Sequence, residues 1–113
     1  MNIQIIGTKK CKNTQKATRF FKERNINFHL MDLTQRAISP GELDNVLRRI
    51  APEDLIDENS ASYKKRGMAY MSFDIREELL EDPSLMVTPV VRNGKEVTLG
   101  VDTAVWTKWL KEG

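Results

Sequence analysis

The sequence contains one cysteine, Cys11, and one histidine, His29. A lone cysteine closes no disulfide within the chain, and it is too few for a zinc or iron–sulfur site without outside ligands. Such a chain fits a reducing compartment, so the cytoplasm is the expected location. His29 has no cysteine, histidine or acid at ligand spacing, reads as a strand residue, and leaves no metal expected. Long apolar runs are missing too. None approaches the ~20 residues that cross a bilayer, and no membrane contact is expected. The opening Met1-Asn2-Ile3-Gln4-Ile5-Ile6-Gly7 lacks the charged start and long apolar core of a signal peptide and reads as a strand. Repeats, low-complexity tracts and linkers are absent, which leaves a single domain over 1–113.

A strong charge of either sign is also lacking. The net charge of +2 is too small to argue for direct nucleic-acid binding. Its distribution is uneven, however. Over 1–27, Lys9, Lys10, Lys12, Lys16, Arg19, Lys22 and Arg24 face a single acid, Glu23. Acids gather later, in Glu53, Asp54, Asp57 and Glu58 and in Glu77, Glu78, Glu81 and Asp82. This split is compatible with a positive site rim or a partner-binding face, but two solvated helix faces of different sign are the preferred reading. What is present is ordinary for a globular protein: 40% hydrophobic and 30% charged residues, enough to bury one core.

Ile3, Ile5 and Ile6, ended by Gly7, form a short buried strand. Beyond the Thr8-Lys9-Lys10-Cys11-Lys12 loop, Ala17, Phe20, Phe21 and Arg24 recur at helical spacing, with Asn13 or Thr14 as the expected cap and Asn25 closing the helix. A second strand is expected over 26–31, and so short a strand–helix–strand run makes the two strands parallel. Ser39-Pro40-Gly41-Glu42 is a capping box with proline at the first helical position; Leu43, Val46, Leu47 and Ile50 follow on one face, and Pro52 ends the helix. Helical patterns recur over 61–66 and 74–81. Residues 89–92 and 95–99 flank Asn93-Gly94, a hairpin turn signal, and Asp102 or Thr103 caps a last helix carrying Val105, Trp106, Trp109 and Leu110. The order β-α-β, a helical insertion over 34–86, then β-β-α, is that of an α/β, thioredoxin-like fold with a mixed four-stranded sheet.

Cys11-Lys12-Asn13-Thr14-Gln15-Lys16-Ala17 thus opens a helix straight after a strand and loop, and Phe20-Phe21 follow it. Leu30-Met31-Asp32-Leu33 precedes Ser39-Pro40-Gly41-Glu42-Leu43; then come Asp54-Leu55-Ile56-Asp57, Ser62-Tyr63-Lys64 and Pro83-Ser84-Leu85-Met86-Val87-Thr88-Pro89-Val90-Val91. In this order and spacing the chain resembles the arsenate reductase (ArsC)/Spx-like family of thioredoxin-fold proteins over nearly its whole length. The resemblance implies that Cys11 is the nucleophile and that Pro89 takes the family's cis-proline position facing it, with Thr88-Pro89 presenting backbone to a bound thiol. It also exposes departures. The family's arsenate reductases bind the oxyanion with three arginines, whose planar forks suit that task. The matching positions here are Asn59, Thr88 and Val101, and Arg92 does not match the motif. Spx-type regulators carry a second cysteine where this chain has Thr14. Both the arsenate clamp and the two-cysteine switch are therefore missing. Lys64-Lys65-Arg66 reads as a solvated basic helix end rather than a replacement clamp, and Met68, Tyr70 and Met71 as residues shaping a groove.

A thiol reacts as its thiolate, so the chemistry turns on its pKa. A helix N-terminus, the charges of Lys9, Lys10 and Lys12, and the side chains of Asn13 and Thr14 are all expected to favour the thiolate. The expected activity is that of a monothiol, glutathione-linked oxidoreductase. It needs no bound cofactor; glutathione or another small thiol serves as co-substrate, and a glutaredoxin- or thioredoxin-type protein as possible reductant. The alternative is an Spx-like regulator that docks on RNA polymerase or another protein without turnover.

Overall fold

The computed structural model describes residues 1–112; Gly113, the last residue of the expected domain, lies outside the described residues. The chain divides into two compact units, Met1–Arg36 together with the chain from Thr88 onward, and Ala37–Val87. The second unit spans nearly the stretch expected as the helical insertion, 34–86.

The first unit holds β1 (Ile3–Gly7), α1 (Lys12–Glu23), β2 (Phe28–Asp32), β3 (Val90–Asn93), β4 (Glu96–Leu99) and a C-terminal helix, α6 (Thr103–Glu112). Its four strands form one mixed sheet in the order β2-β1-β3-β4. β1 runs parallel to β2, with Ile3 opposite Phe28 and Gly7 opposite Asp32, and antiparallel to β3, with Ile6 opposite Val90. This is the thioredoxin-like α/β arrangement the element order implied. The core gathers Ile3, Ile5 and Val91 from the sheet, Ala17, Phe20 and Phe21 from α1, and Trp106 and Trp109 from α6. Phe20, Phe21 and Trp106 pack with ring centroids 5.1–5.3 Å apart. The indole N–H of Trp106 donates to the Thr98 hydroxyl at 2.9 Å, which satisfies the polar edge of a fully buried ring.

Two local expectations shift, and a third choice is settled. The second strand begins at Phe28 rather than at 26, because Asn25 takes a positive φ of 57° and the Ile26 N–H turns back to the Phe21 carbonyl at 2.9 Å. In the hairpin, Asn93 remains in the strand, paired with both Ile3 and Glu96, so Gly94 and Lys95 form the two-residue loop. Gly94, at φ 60°, supplies the positive first position that a type II′ turn requires. At α6, of the two expected caps, it is Asp102 that accepts the Val105 N–H, at 3.2 Å.

The second unit is helical: α2 (Pro40–Leu47), α3 (Pro52–Leu55), α4 (Ala61–Lys65) and α5 (Ile75–Glu81), with single 3₁₀ turns at Met68–Tyr70 and Pro83–Leu85. The capping box is complete, with the Ser39 hydroxyl accepting from the Glu42 N–H and the Glu42 carboxylate accepting from the Ser39 N–H. α2 stops at Leu47, short of the expected Ile50, so Pro52 does not end it but opens α3. Pro52 sits in the first turn of α3, where a missing N–H has no consequence. Arg76 on α5 forks onto Asp44 of α2 at 2.8 and 3.1 Å. Arg66 donates to Glu78 at 2.7 Å and to Asp82 at 3.4 Å, so it is tied to acids, while Lys64 and Lys65 are exposed as expected. Met68 is buried while Tyr70 and Met71 are exposed, so the three do not share one apolar groove.

Candidate functional site

Cys11 itself, rather than Asn13 or Thr14, is the N-cap of α1. Its backbone is extended, at φ −72° and ψ 119°, and its carbonyl accepts the Gln15 N–H at 3.0 Å. Asn13 and Thr14 therefore lie inside the first helical turn, where their own N–H groups have no partner one turn back. The loop ahead of the helix is held as a turn by the Cys11 N–H on the Thr8 carbonyl at 3.2 Å and by the Gln15 side-chain amide on the Lys9 carbonyl at 2.7 Å.

The sheet brings the second half of the site from far along the chain. Because β3 runs antiparallel beside β1, the segment entering β3 lies at the end where β1 releases the cysteine loop. That segment is Thr88-Pro89, joined by a cis peptide bond, as the resemblance implied. The Thr88 hydroxyl donates to the Cys11 sulfur at 3.2 Å, and the thiol is 3.7 Å from the Thr88 carbonyl oxygen. Pro89 is buried, and its carbonyl accepts the Gly100 N–H at 2.8 Å, which ties this segment to the end of β4.

Thr14 is buried, and its hydroxyl oxygen has no hydrogen-bond partner of ordinary geometry. It lies between Gly7 and the sulfur. A Cβ placed on Gly7 falls 2.3 Å from the Thr14 Oγ1, so only glycine fits at the end of β1. Burial pushes the Cys11 thiol up, but the hydroxyls of Thr14 and Thr88 and the N–H groups of Thr14 and Asn13 more than offset it, and the net shift is downward. The hydroxyl donors and helix amides lead this effect; of the expected supports, the helix N-terminus and the Thr14 side chain contribute. Lys9, Lys10 and Lys12, neighbours of Cys11 along the chain, are exposed, and the thiol itself is half-buried.

Of the sequence-derived residues, the fold thus gathers Cys11, Asn13, Thr14, Thr88 and Pro89 at one end of the sheet, with Lys12 exposed at the first helical position. Arg92 is not among them: it points across the sheet and donates to Gln4 at 3.1 Å. Val101 is exposed, and Asn59 belongs to the other unit. Sequence reasoning passed over two residues. One is Gly7, whose signal was a glycine ending an otherwise apolar strand. The other is Asp32, buried at the end of β2 opposite Gly7. The Thr34 hydroxyl and N–H hold its carboxyl below the usual range, against burial and with help from Lys9. His29 is exposed on β2, and among the described residues no group of histidine, cysteine or acid side chains is placed to hold a metal.

No family model matches the chain, and no curated protein matches it. Solved structures do. An ArsC family related protein from Bacteroides fragilis superposes with a TM-score of 0.80 at 19% identity, covering 96% of this chain and 97% of that one. An arsenate reductase from Vibrio cholerae gives 0.78 at 15% identity, with 88% and 90% covered. An ArsC related protein from Brucella melitensis gives 0.71 at 22% identity, with 98% and 96% covered. At such identities the likeness is one of fold, and it extends over nearly the full length of each partner. No helix among the described residues is long and apolar enough to cross a membrane. The chain has the thioredoxin-like fold of the ArsC-like proteins, with its one cysteine capping the first helix.

Proposed function

We propose that this protein is a thiol-dependent oxidoreductase of the monothiol kind, with Cys11 as nucleophile and glutathione or another small thiol as co-substrate. The observation that carries this reading is the contact between Thr88 and Cys11: a hydroxyl donated to the sulfur at 3.2 Å, at a helix N-cap where the thiol is held below its ordinary pKa. The thiolate attacks a disulfide, forming a bond from Sγ to one sulfur while the old sulfur–sulfur bond breaks and its electron pair leaves on the other sulfur as a thiolate. With Cys11 as the chain's one cysteine, no second thiol of this chain resolves the mixed disulfide. An external thiol attacks it, regenerates Cys11 and carries away the new disulfide. A glutaredoxin- or thioredoxin-type reductant could supply that thiol in a reducing compartment such as the cytoplasm. Arsenate reduction is disfavoured, since Asn59, Thr88 and Val101 stand where three arginines would bind the oxyanion.

The test is alkylation rate against pH, paired with a glutathionylation assay. An inflection below that of a free cysteine, with a Cys11–glutathione adduct that forms and is released by excess thiol, supports the proposal. An inflection at or above the free-cysteine value defeats it. A second reading, docking on a protein partner without turnover, draws on Tyr70, which is 96% exposed, and on the neighbouring exposed Met71. An inert Cys11 together with loss of partner capture in Tyr70→Ser would favour that reading instead.

A further inference from the structure

We infer that the sheet carries a second site, a row of donors formed by Arg92, Gln4 and His29 that binds an oxyanion group, carboxylate or phosphate, on the Arg92 guanidinium. The site is separate from the thiol: Gln4 and Arg92 each lie three residues along their strands from Gly7 and Pro89, about 10 Å from the sheet end that holds Cys11. It is also not the arsenate clamp of the ArsC-like proteins, whose positions are Asn59, Thr88 and Val101 here.

Strand alternation builds the row. Ile3, Ile5 and Val91 turn toward α1 and α6, and Phe28 and Leu30 pack against the same cluster. Successive side chains point to opposite faces of a sheet, so Gln4, Arg92 and His29 stand on the other face. Register makes them neighbours. Gln4 pairs with His29 on one side and with Arg92 on the other, and Arg92 pairs with Val97. Adjacent strands lie about 4.8 Å apart, so the three donors span about 10 Å in one line, and none of the four residues is an acid. Arg92 donates through Nη1 to the Gln4 Oε1 at 3.1 Å. A guanidinium can only donate, so this contact fixes which end of the Gln4 amide faces it and leaves the NH2 end as a further donor. His29 is exposed and adds an imidazole N–H.

What singles this row out is a charge without a counter-charge. Every lysine of the chain is exposed, and of the arginines only Arg76 and Arg92 are half-buried. A cation partly withdrawn from water is normally matched by an acid. Arg76 is, by Asp44 and Glu77. Arg92 is met by the neutral Gln4 and, among the described residues, by no carboxylate. Its Nε is buried without a hydrogen-bond partner. A buried donor left unmet on a charged group is costly, and an arriving oxyanion removes that cost. Nε and Nη2 form one edge of the planar guanidinium, and two oxygens of a carboxylate or phosphate accept from both at once. With Nη1 held by Gln4, that edge is the one left for a ligand. Arg92 is half-exposed, so a small tilt of its guanidinium brings the edge to solvent.

The experiment follows the Arg92 Nε–H and Gln4 side-chain amide signals of the nitrogen-15-labelled protein by NMR. Sodium phosphate, or in a second series sodium acetate, replaces sodium chloride at constant ionic strength. Both signals should shift along one saturable curve, and the Arg92 Nε–H should exchange more slowly with water. Saturation by phosphate alone identifies a phosphate-bearing ligand, and saturation by acetate alone a carboxylate. Arg92→Gln should abolish the shift at Gln4. Should that variant fail to fold, His29→Ala changes only an exposed residue and should weaken the apparent affinity by about three- to tenfold. Cys11→Ser should bind as the unaltered protein does, so an inert thiol leaves this inference standing. Shifts that never saturate with either anion would overturn it. So would saturable shifts that persist in Arg92→Gln or vanish in Cys11→Ser.

Discussion

At the scale of single residues, Cys11 depends on two hydroxyls that reach it from different parts of the fold. Thr88 donates to the sulfur at 3.2 Å, and Thr14 faces it from the first turn of the same helix. A hydrogen bond to a charged group contributes about 1.5–3 kcal/mol, roughly twice a neutral one. Replacing Thr88 by valine keeps the shape and removes the donor; the higher-pKa thiolate is also the better nucleophile, which offsets about half of that energy, so alkylation of Cys11 at neutral pH should slow by about four- to fifteenfold. Iodoacetamide kinetics would measure it, and an unchanged rate would mean that the hydroxyl does not hold the thiolate. The same contacts make stability depend on pH. The folded pKa lies below the ordinary thiol value of 9.0, so the thiolate's contribution is fully present above that value and is lost as pH falls through the folded pKa. In urea titrations, the stability of the protein relative to Cys11→Ser should therefore rise with pH up to about that ordinary thiol value. A flat difference would contradict the lowered pKa.

At the scale of elements, the site is a junction between a strand end, a helix start and a strand entry. Gly7 ends β1 where Thr14 of α1 packs against it, and a methyl there would fall 2.3 Å from the Thr14 hydroxyl. Gly7→Ala should destabilise the protein by about 1–3 kcal/mol through overpacking, and it should also change the reactivity of Cys11, because the first turn of α1 must move. Chemical denaturation and alkylation kinetics on the one variant would check both, and an unaltered thiol would separate the packing from the chemistry. Much at this scale was legible beforehand. Ser39-Pro40-Gly41-Glu42 announces α2 because all four partners of a capping box lie within one turn. The cap of α1 was misassigned because Cys11 is not among the usual capping residues, while Asn13 and Thr14 are. The hairpin turn moved by one residue because Asn93 is held in the strand by Ile3, a partner ninety positions away that no local rule sees.

At the scale of the whole chain, the separation of charge has a consequence independent of thiol chemistry. A protein of net charge +2 with its lysines dispersed would bind a cation exchanger weakly at neutral pH, whereas a concentrated basic face binds more firmly. Lys16→Glu combined with Arg19→Glu should shorten retention more than Lys108→Glu combined with Lys111→Glu, although both pairs change the net charge by the same amount. Equal shifts would mean that Lys16 and Arg19 do not act as part of a patch. Sequence alone determined the order of the strands and main helices and the cysteine at the start of a helix. Each of these rests on residue identity or on patterns only a few positions long, the range over which capping, helical spacing and turn chemistry operate. Tertiary structure alone decided that Thr88, 77 positions away, donates to Cys11, that Gly7 leaves room for Thr14, and that Arg92 is turned toward Gln4. Those contacts follow from how β3 pairs beside β1, and that pairing is settled by burial of the core as a whole rather than by any short stretch of chain.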